Sequence, residues 1–153
     1  MFRNYMFDDP YNIGGLRNKD NTPARAFNCG GFALGTFSWY CPHSPDDDCR
    51  YNYAFNTKEQ AIAKTFKVVE YMLNDIPNLR IIGSLYDLRP NEYAIAFRIS
   101  TDDDFHFAKR LANGRWVHKR GGHPICYISK EEVFSDCWFD VYSGPLVLLA
   151  MGR

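Results

Sequence analysis

The stretch FHFAKRLANGRWVHK, residues 105–119, decides the fold. Its arms, FHFAKRL and RWVHK, are rich in the aromatic and β-branched residues that suit a pleated, half-buried surface. Between them Ala112-Asn113-Gly114 is a turn, because Asn and Gly accept positive φ at little cost. The stretch therefore predicts a β-hairpin, and it carries His106 on one arm and His118 on the other. Pairing about a simple two-residue turn puts Phe107 opposite His118, one residue out of step with His106. A three-residue turn or a bulge sets the two imidazoles opposite, roughly 5 Å apart. The hairpin alone is equally the picture of two histidines satisfied by solvent or backbone.

On either side of the hairpin the same β-rich character recurs. LRIIGS (79–84), EYAIAFRIS (92–100), CYIS (126–129), CWFDVYS (137–143) and PLVLLAM (145–151) read as further strands. Helical signals come earlier. Asn28 is a good N-cap for a short helix through CGGFALG, although its two glycines require tertiary packing to hold it. Thr57 and Gln60 fit a capping box at the start of a longer helix. There Ile62, Phe66, Val69 and Leu73 form an apolar stripe, and Asn74 and Pro77 mark the end. Residues 1–26 and 40–56 read as irregular, broken by Pro and Gly. Helices followed by short antiparallel strands predict an α+β domain, with helices on one face of the sheet. With 153 residues, the chain fits one domain spanning 1–153.

Composition narrows the function classes. Apolar residues make up 46% of the chain and aromatic residues 16%, a globular balance. The formal net charge is zero and no basic stripe stands out, which gives no support to nucleic acid as a partner. No apolar run reaches the roughly 18 residues of a membrane span. The N-terminus MFRNYMFDDP lacks the continuous apolar core of a secretory signal. The chain is thus expected to be made in the cytoplasm, and to reach any outside site by non-classical export or with a phage particle. Of the five cysteines, Cys29, Cys41, Cys49, Cys126 and Cys137, at least one is unpaired within a single chain.

Cys29 stands apart from the other four. It follows the N-cap Asn28, where a helix dipole favours a thiolate, and an imidazole beside a thiol makes it a nucleophile. Gly30 and Gly31 are expected to keep the thiol accessible. The segments PYNIGG (10–15), FNCGGFALG (27–35) and HFAKRLANGRWVH (106–118), in that order, resemble the NlpC-type cell-wall peptidases, a family of papain-like cysteine hydrolases. The resemblance implies a papain-like fold, no cofactor and no metal. It implies Cys29 as nucleophile, His106 as general base and then acid, and His118 as the residue that orients His106. Tyr11 and the backbone N–H of Cys29 would line the oxyanion site. The implied substrate is a peptide or peptidoglycan fragment, cut in the stem peptide. The chain departs from the family at Asn28, where Asp is usual, at Gly30, where Ser is usual, and after His106, where HFAKR lacks the usual Gly and Tyr.

Other readings stay open. A host-protein target would make the chain an intracellular protease, deamidase or acyltransferase, of the kind phages or injected effectors supply. A non-catalytic binding module could share the fold. His123 or Asp140 could replace His118 as the third residue. Cys41, His43 and Cys49 offer metal-ligand atoms, but their spacing fits no common zinc module. Asp46–Asp48 and Asp102–Asp104 lack the spacing of a calcium loop and read as solvated turns. Trp39, Tyr40, Trp116 and Trp138 read as core or cleft walls.

Overall fold

A computed structural model describes residues 27–36, 39–42, 53–101, 104–120, 125–136, 138 and 143–152. In chain order the elements are α1 (Cys29–Leu34), α2 (Lys58–Asp75), β1 (Leu79–Ile82), a 3-10 turn (Leu85–Asp87), β2 (Glu92–Ser100), β3 (Asp104–Arg110), β4 (Trp116–Lys119), β5 (Ile125–Ile128), α3 (Lys130–Val133) and β6 (Val147–Gly152). The strands form a six-stranded sheet in the order β1-β6-β2-β3-β4-β5, and every neighbouring pair is antiparallel. The architecture is α+β, as expected. The reading of 137–143 as a strand falls mostly outside the described residues; Ser143 makes one isolated bridge to Ser100.

Helices cover both faces of the sheet rather than one. On the α1 and α2 face, Ile95, Phe97, Ile99, Phe107, Val147 and Leu149 pack with Val68, Val69 and Met72 of α2 and with Cys29. On the other face, Ala94, Ala96, Ala108 and Trp116 pack beneath Val133 of α3 and Trp138. The small alanines leave the depth that two indoles need. Residues Ala94 to Ser100 of β2 are therefore all buried, on both sides of the pleat. The short α3 gives little periodic signal in sequence, although Ser129 caps it through Glu132 N–H at 3.1 Å.

The α2 stripe is rotated by about one residue from its expected position. Its buried residues are Ala61, Thr65, Val68, Val69 and Met72. Ile62 and Phe66 are 41% and 47% exposed. Smaller side chains let the helix seat closely, and Gly144 completes the fit. A Cβ at Gly144 would lie 3.0 Å from both Thr65 Oγ1 and Ile99 Cγ1. The start of the helix is as expected at Thr57, whose Oγ1 accepts from Gln60 N–H at 3.1 Å. Gln60 Oε1, however, accepts from the Asn56 N–H at 2.8 Å, one residue earlier than the standard box. Trp39 is 56% exposed, against its reading as a core or cleft residue, whereas Trp116 and Trp138 are buried.

The hairpin turn fixes the register on which the site depends. Leu111 N–H donates to Arg115 O at 2.7 Å, and Gly114 takes φ 86°, so Ala112-Asn113-Gly114 is a three-residue turn. The ladder then pairs Arg110 with Trp116 and Lys109 with Val117. Continuing that register sets His118 across from Ala108. The two histidines thus share a face as diagonal neighbours instead of standing opposite.

Among the described residues, no helix is long and apolar enough to cross a membrane. The Thr65 hydroxyl is fully buried and finds no hydrogen-bond partner among them. Replacing it by an apolar isostere removes a desolvated, unsatisfied group. Thr65→Val is expected to stabilise the fold by about 1 kcal/mol, raising Tm by roughly 2–4 °C in a thermal melt.

Candidate active site

The helix that carries Cys29 has only six residues, too few to stand without tertiary support. Both its ends are held. At the C-terminus Gly35, at φ 72°, turns the chain, and Thr36 N–H returns to Gly31 O at 3.1 Å. Tyr93 Oη also donates to the Ala33 carbonyl at 2.7 Å. At the N-terminus Asn28 is extended and buried, and its Oδ1 accepts from Gly31 N–H and Tyr40 N–H, both at 3.0 Å. Its Nδ2 donates to Tyr40 O at 2.8 Å.

This arrangement gives Asn28 and Gly30 distinct structural roles. Asn28 caps α1 and also clamps the backbone of Tyr40 as donor and acceptor together. An ionised Asp can only accept, so it would set an oxygen against the Tyr40 carbonyl. At Gly30 a Cβ would lie 3.1–3.2 Å from Tyr40 Cδ1, Tyr40 O and Phe107 Cε2. The glycine therefore serves close packing of α1 on β3. It does not open the thiol, which is only 5% exposed.

The Cys29 sulfur approaches β3 from the α1 face and rests against the backbone beside His106. Burial dominates its ionisation and pushes the thiol up to about 12. The Phe107 N–H opposes this by hydrogen bonding, the Asp104 carboxylate adds to it, and the N–H groups of Gly30 and Cys29 oppose it. The β3–β4 ladder pairs Arg110 with Trp116 and Lys109 with Val117, just ahead of the Phe107 backbone that meets the sulfur.

On the opposite face of β3, His106 Nε2 and His118 Nδ1 are 2.8 Å apart and hydrogen bonded. Both rings are buried. The His106 ring meets Trp138 edge-on at 5.8 Å, and Arg98, paired across the ladder with His106, stacks its guanidinium over the same indole at 5.3 Å. Arg98 also lines a cavity of about 530 Å³ with Phe55, Thr57, Ile62, Thr101 and Pro145. Residue spacing alone does not bring Arg98, Trp138 and the histidines to one surface, although the pairing of Arg98 with His106 carries part of it. Burial lowers both imidazoles, and the field of Arg120 acts in the same sense. His106 lies well below the usual histidine value, with His118 as its second cause, and His118 itself falls to about 4.

Among the remaining sequence candidates, Cys41 is partly exposed, and Cys126 is buried across the ladder from His118. Tyr11, His43, Asp46–Asp48, Cys49, Asp102–Asp103, His123, Cys137 and Asp140 lie outside the described residues. No group of three or more His, Cys, Asp or Glu suited to a metal ion occurs among the described residues. Comparisons of the chain with protein-family models, with curated proteins and with solved structures find no match.

Two outcomes follow from this geometry. Asn28→Asp is expected to cost roughly 1–3 kcal/mol, because the Tyr40 carbonyl loses its donor; urea denaturation above pH 6 reads this directly. The second concerns acid. Both histidines are neutral in the fold and charge more readily when unfolded, so their contribution is complete above pH 6.5 and is lost as pH falls from there toward 4. Each imidazole adds at most about 1.4 kcal/mol per pH unit to that slope. His118→Gln is expected to show a shallower loss of stability between pH 6.5 and 4.

Proposed function

We propose that this chain is a papain-like cysteine hydrolase that cleaves amide bonds through a thioester, with Cys29, His106 and His118 as its catalytic set. The observation that carries the reading is the convergence on one stretch of strand. A helix-start sulfur is cradled by the Phe107 N–H, and the preceding residue is a histidine tied to a second one at 2.8 Å. Since His106 Nε2 engages His118, we assign its Nδ1 to the thiol, which it would meet past the edge of β3 because the two side chains belong to opposite faces of the strand. The N–H groups at the start of α1 also stand where an oxyanion could be received.

The chemistry follows from these roles. The thiol and both imidazoles rest neutral, so the S–H proton passes to His106 Nδ1 as the sulfur attacks the amide carbon. His118 accepts a hydrogen bond from His106 Nε2–H and stabilises the imidazolium as it forms. The imidazolium then protonates the leaving amine, leaving a thioester on Cys29. Water, deprotonated by His106, releases the acid and restores the thiol. The cavity beside Arg98 would receive an acidic or mixed apolar part of the substrate. The resemblance to NlpC-type enzymes makes peptidoglycan stem peptides the substrate class.

A second reading, a non-catalytic binding module on the same architecture, is favoured by one observation: the Cys29 thiol is nearly sealed. Digestion of purified peptidoglycan, followed by mass spectrometry of released peptides, separates the two. The hydrolase releases peptides, Cys29→Ala releases none, and His106→Ala is slower by about 10²–10⁴-fold. Wild-type protein that releases nothing while its thiol remains alkylatable supports the binding module.

A further inference from the structure

Lys119 has no part in the catalytic set, yet its placement is costly. It is 1% exposed, and burying an ammonium is unfavourable unless its charge is used. Strand parity points its side chain away from His118 and toward α1. There Nζ donates to the Phe27 carbonyl at 2.9 Å and sits 4.7 Å from the centre of the Phe27 ring. Phe27 is two residues before Cys29. The hairpin register also sets Lys119 across from Phe107, whose N–H reaches the Cys29 sulfur. Lys119 and Cys29 therefore both lie on the α1 side of the sheet, beside Phe27 and Phe107.

We propose that Lys119 is a positioning residue for the nucleophile: it anchors the chain entering α1 through Phe27 and supplies the buried positive charge against which the Cys29 thiolate forms. The proposal rests on the hydrolase reading above and deepens it. In many thiol hydrolases an imidazolium balances the thiolate at rest. Here both imidazoles are pressed toward neutrality, so the standing positive charge beside the sulfur comes from a lysine. Burial lowers the Lys119 ammonium, and the Cys29 sulfur opposes that shift. The other ionisable groups around the pair, among the described residues, are few. Asp104 on β3 opposes the thiolate. Lys109 on β3 is held over the Phe32 and Tyr93 rings. Tyr40 packs on Gly30 with its phenol held well above the usual value by burial. Arg120 acts on the histidine face.

The test is the pH profile of Cys29 alkylation by iodoacetamide in the full chain, resolved by cysteine with mass spectrometry. Lys119→Met is expected to slow Cys29 about tenfold near pH 7 and to move its midpoint up by about one unit, with Cys41 unchanged. Lys119→Arg is expected to recover most of the rate. A folded Lys119→Met protein with the wild-type profile overturns the inference alone. A wild-type Cys29 that is not alkylated at any pH of the profile overturns the hydrolase reading and this inference together. Should Lys119→Met not fold, the reciprocal measurement applies, because coupling between two sites is mutual. In Cys29→Ser, the Lys119 ammonium followed by NMR is expected to titrate lower than in wild type, and an unchanged titration overturns the inference.

Discussion

The register of β3 against β4 is the constraint on which the rest of the structure depends. A three-residue turn fixes it, and Gly114 makes that turn possible by taking a backbone conformation that side chains resist. One residue of slip would turn every side chain of β4 to the other face. His118 would leave His106 and meet α1, and Lys119 would abandon the Phe27 carbonyl for the Trp138 side. The single turn therefore assigns imidazoles to one face and an ammonium to the other, and it leaves the strand edge where the sulfur rests between them.

Much of this was legible in residues. Asn28 and Thr57 announce their helices through side-chain capping, which is local physics and survives folding unchanged. The β2 and β3 segments were plain because aromatic and β-branched residues run through them without a breaker. The face of α2 was not legible, since Ile62 and Phe66 are the larger hydrophobes and only tertiary fit favours Ala61 and Thr65. That fit depends on Gly144, nearly eighty positions away along the chain. Likewise, three alanines on β2 and β3 say little in isolation about the second layer formed by α3 and Trp138.

The candidate site was legible in kind but not in state. Spacing brought His106 and His118 together, and the hydrogen bond of 2.8 Å has the geometry such a pair needs. What the residues alone could not convey is that these groups are held neutral. Neutrality comes from desolvation, a property of everything packed around a group and not of the group itself. The same desolvation strengthens each remaining charge and dipole near the sulfur, so the backbone N–H groups of Phe107 and Gly30 and the ammonium of Lys119 act with little screening.

The strand order carries a consequence for synthesis. β6, which follows the other described strands in sequence, lies between β1 and β2, so the sheet cannot be closed from the front of the sequence onward. While the chain emerges from a ribosome, β2, β3 and β4 can zip together by short connections. β1 must wait, its backbone groups unpaired, until residues 147–152 arrive to bridge it to β2. Loss of those few residues would do more than shorten an edge: it would divide the sheet and strip one side of the buried β2 of its neighbour.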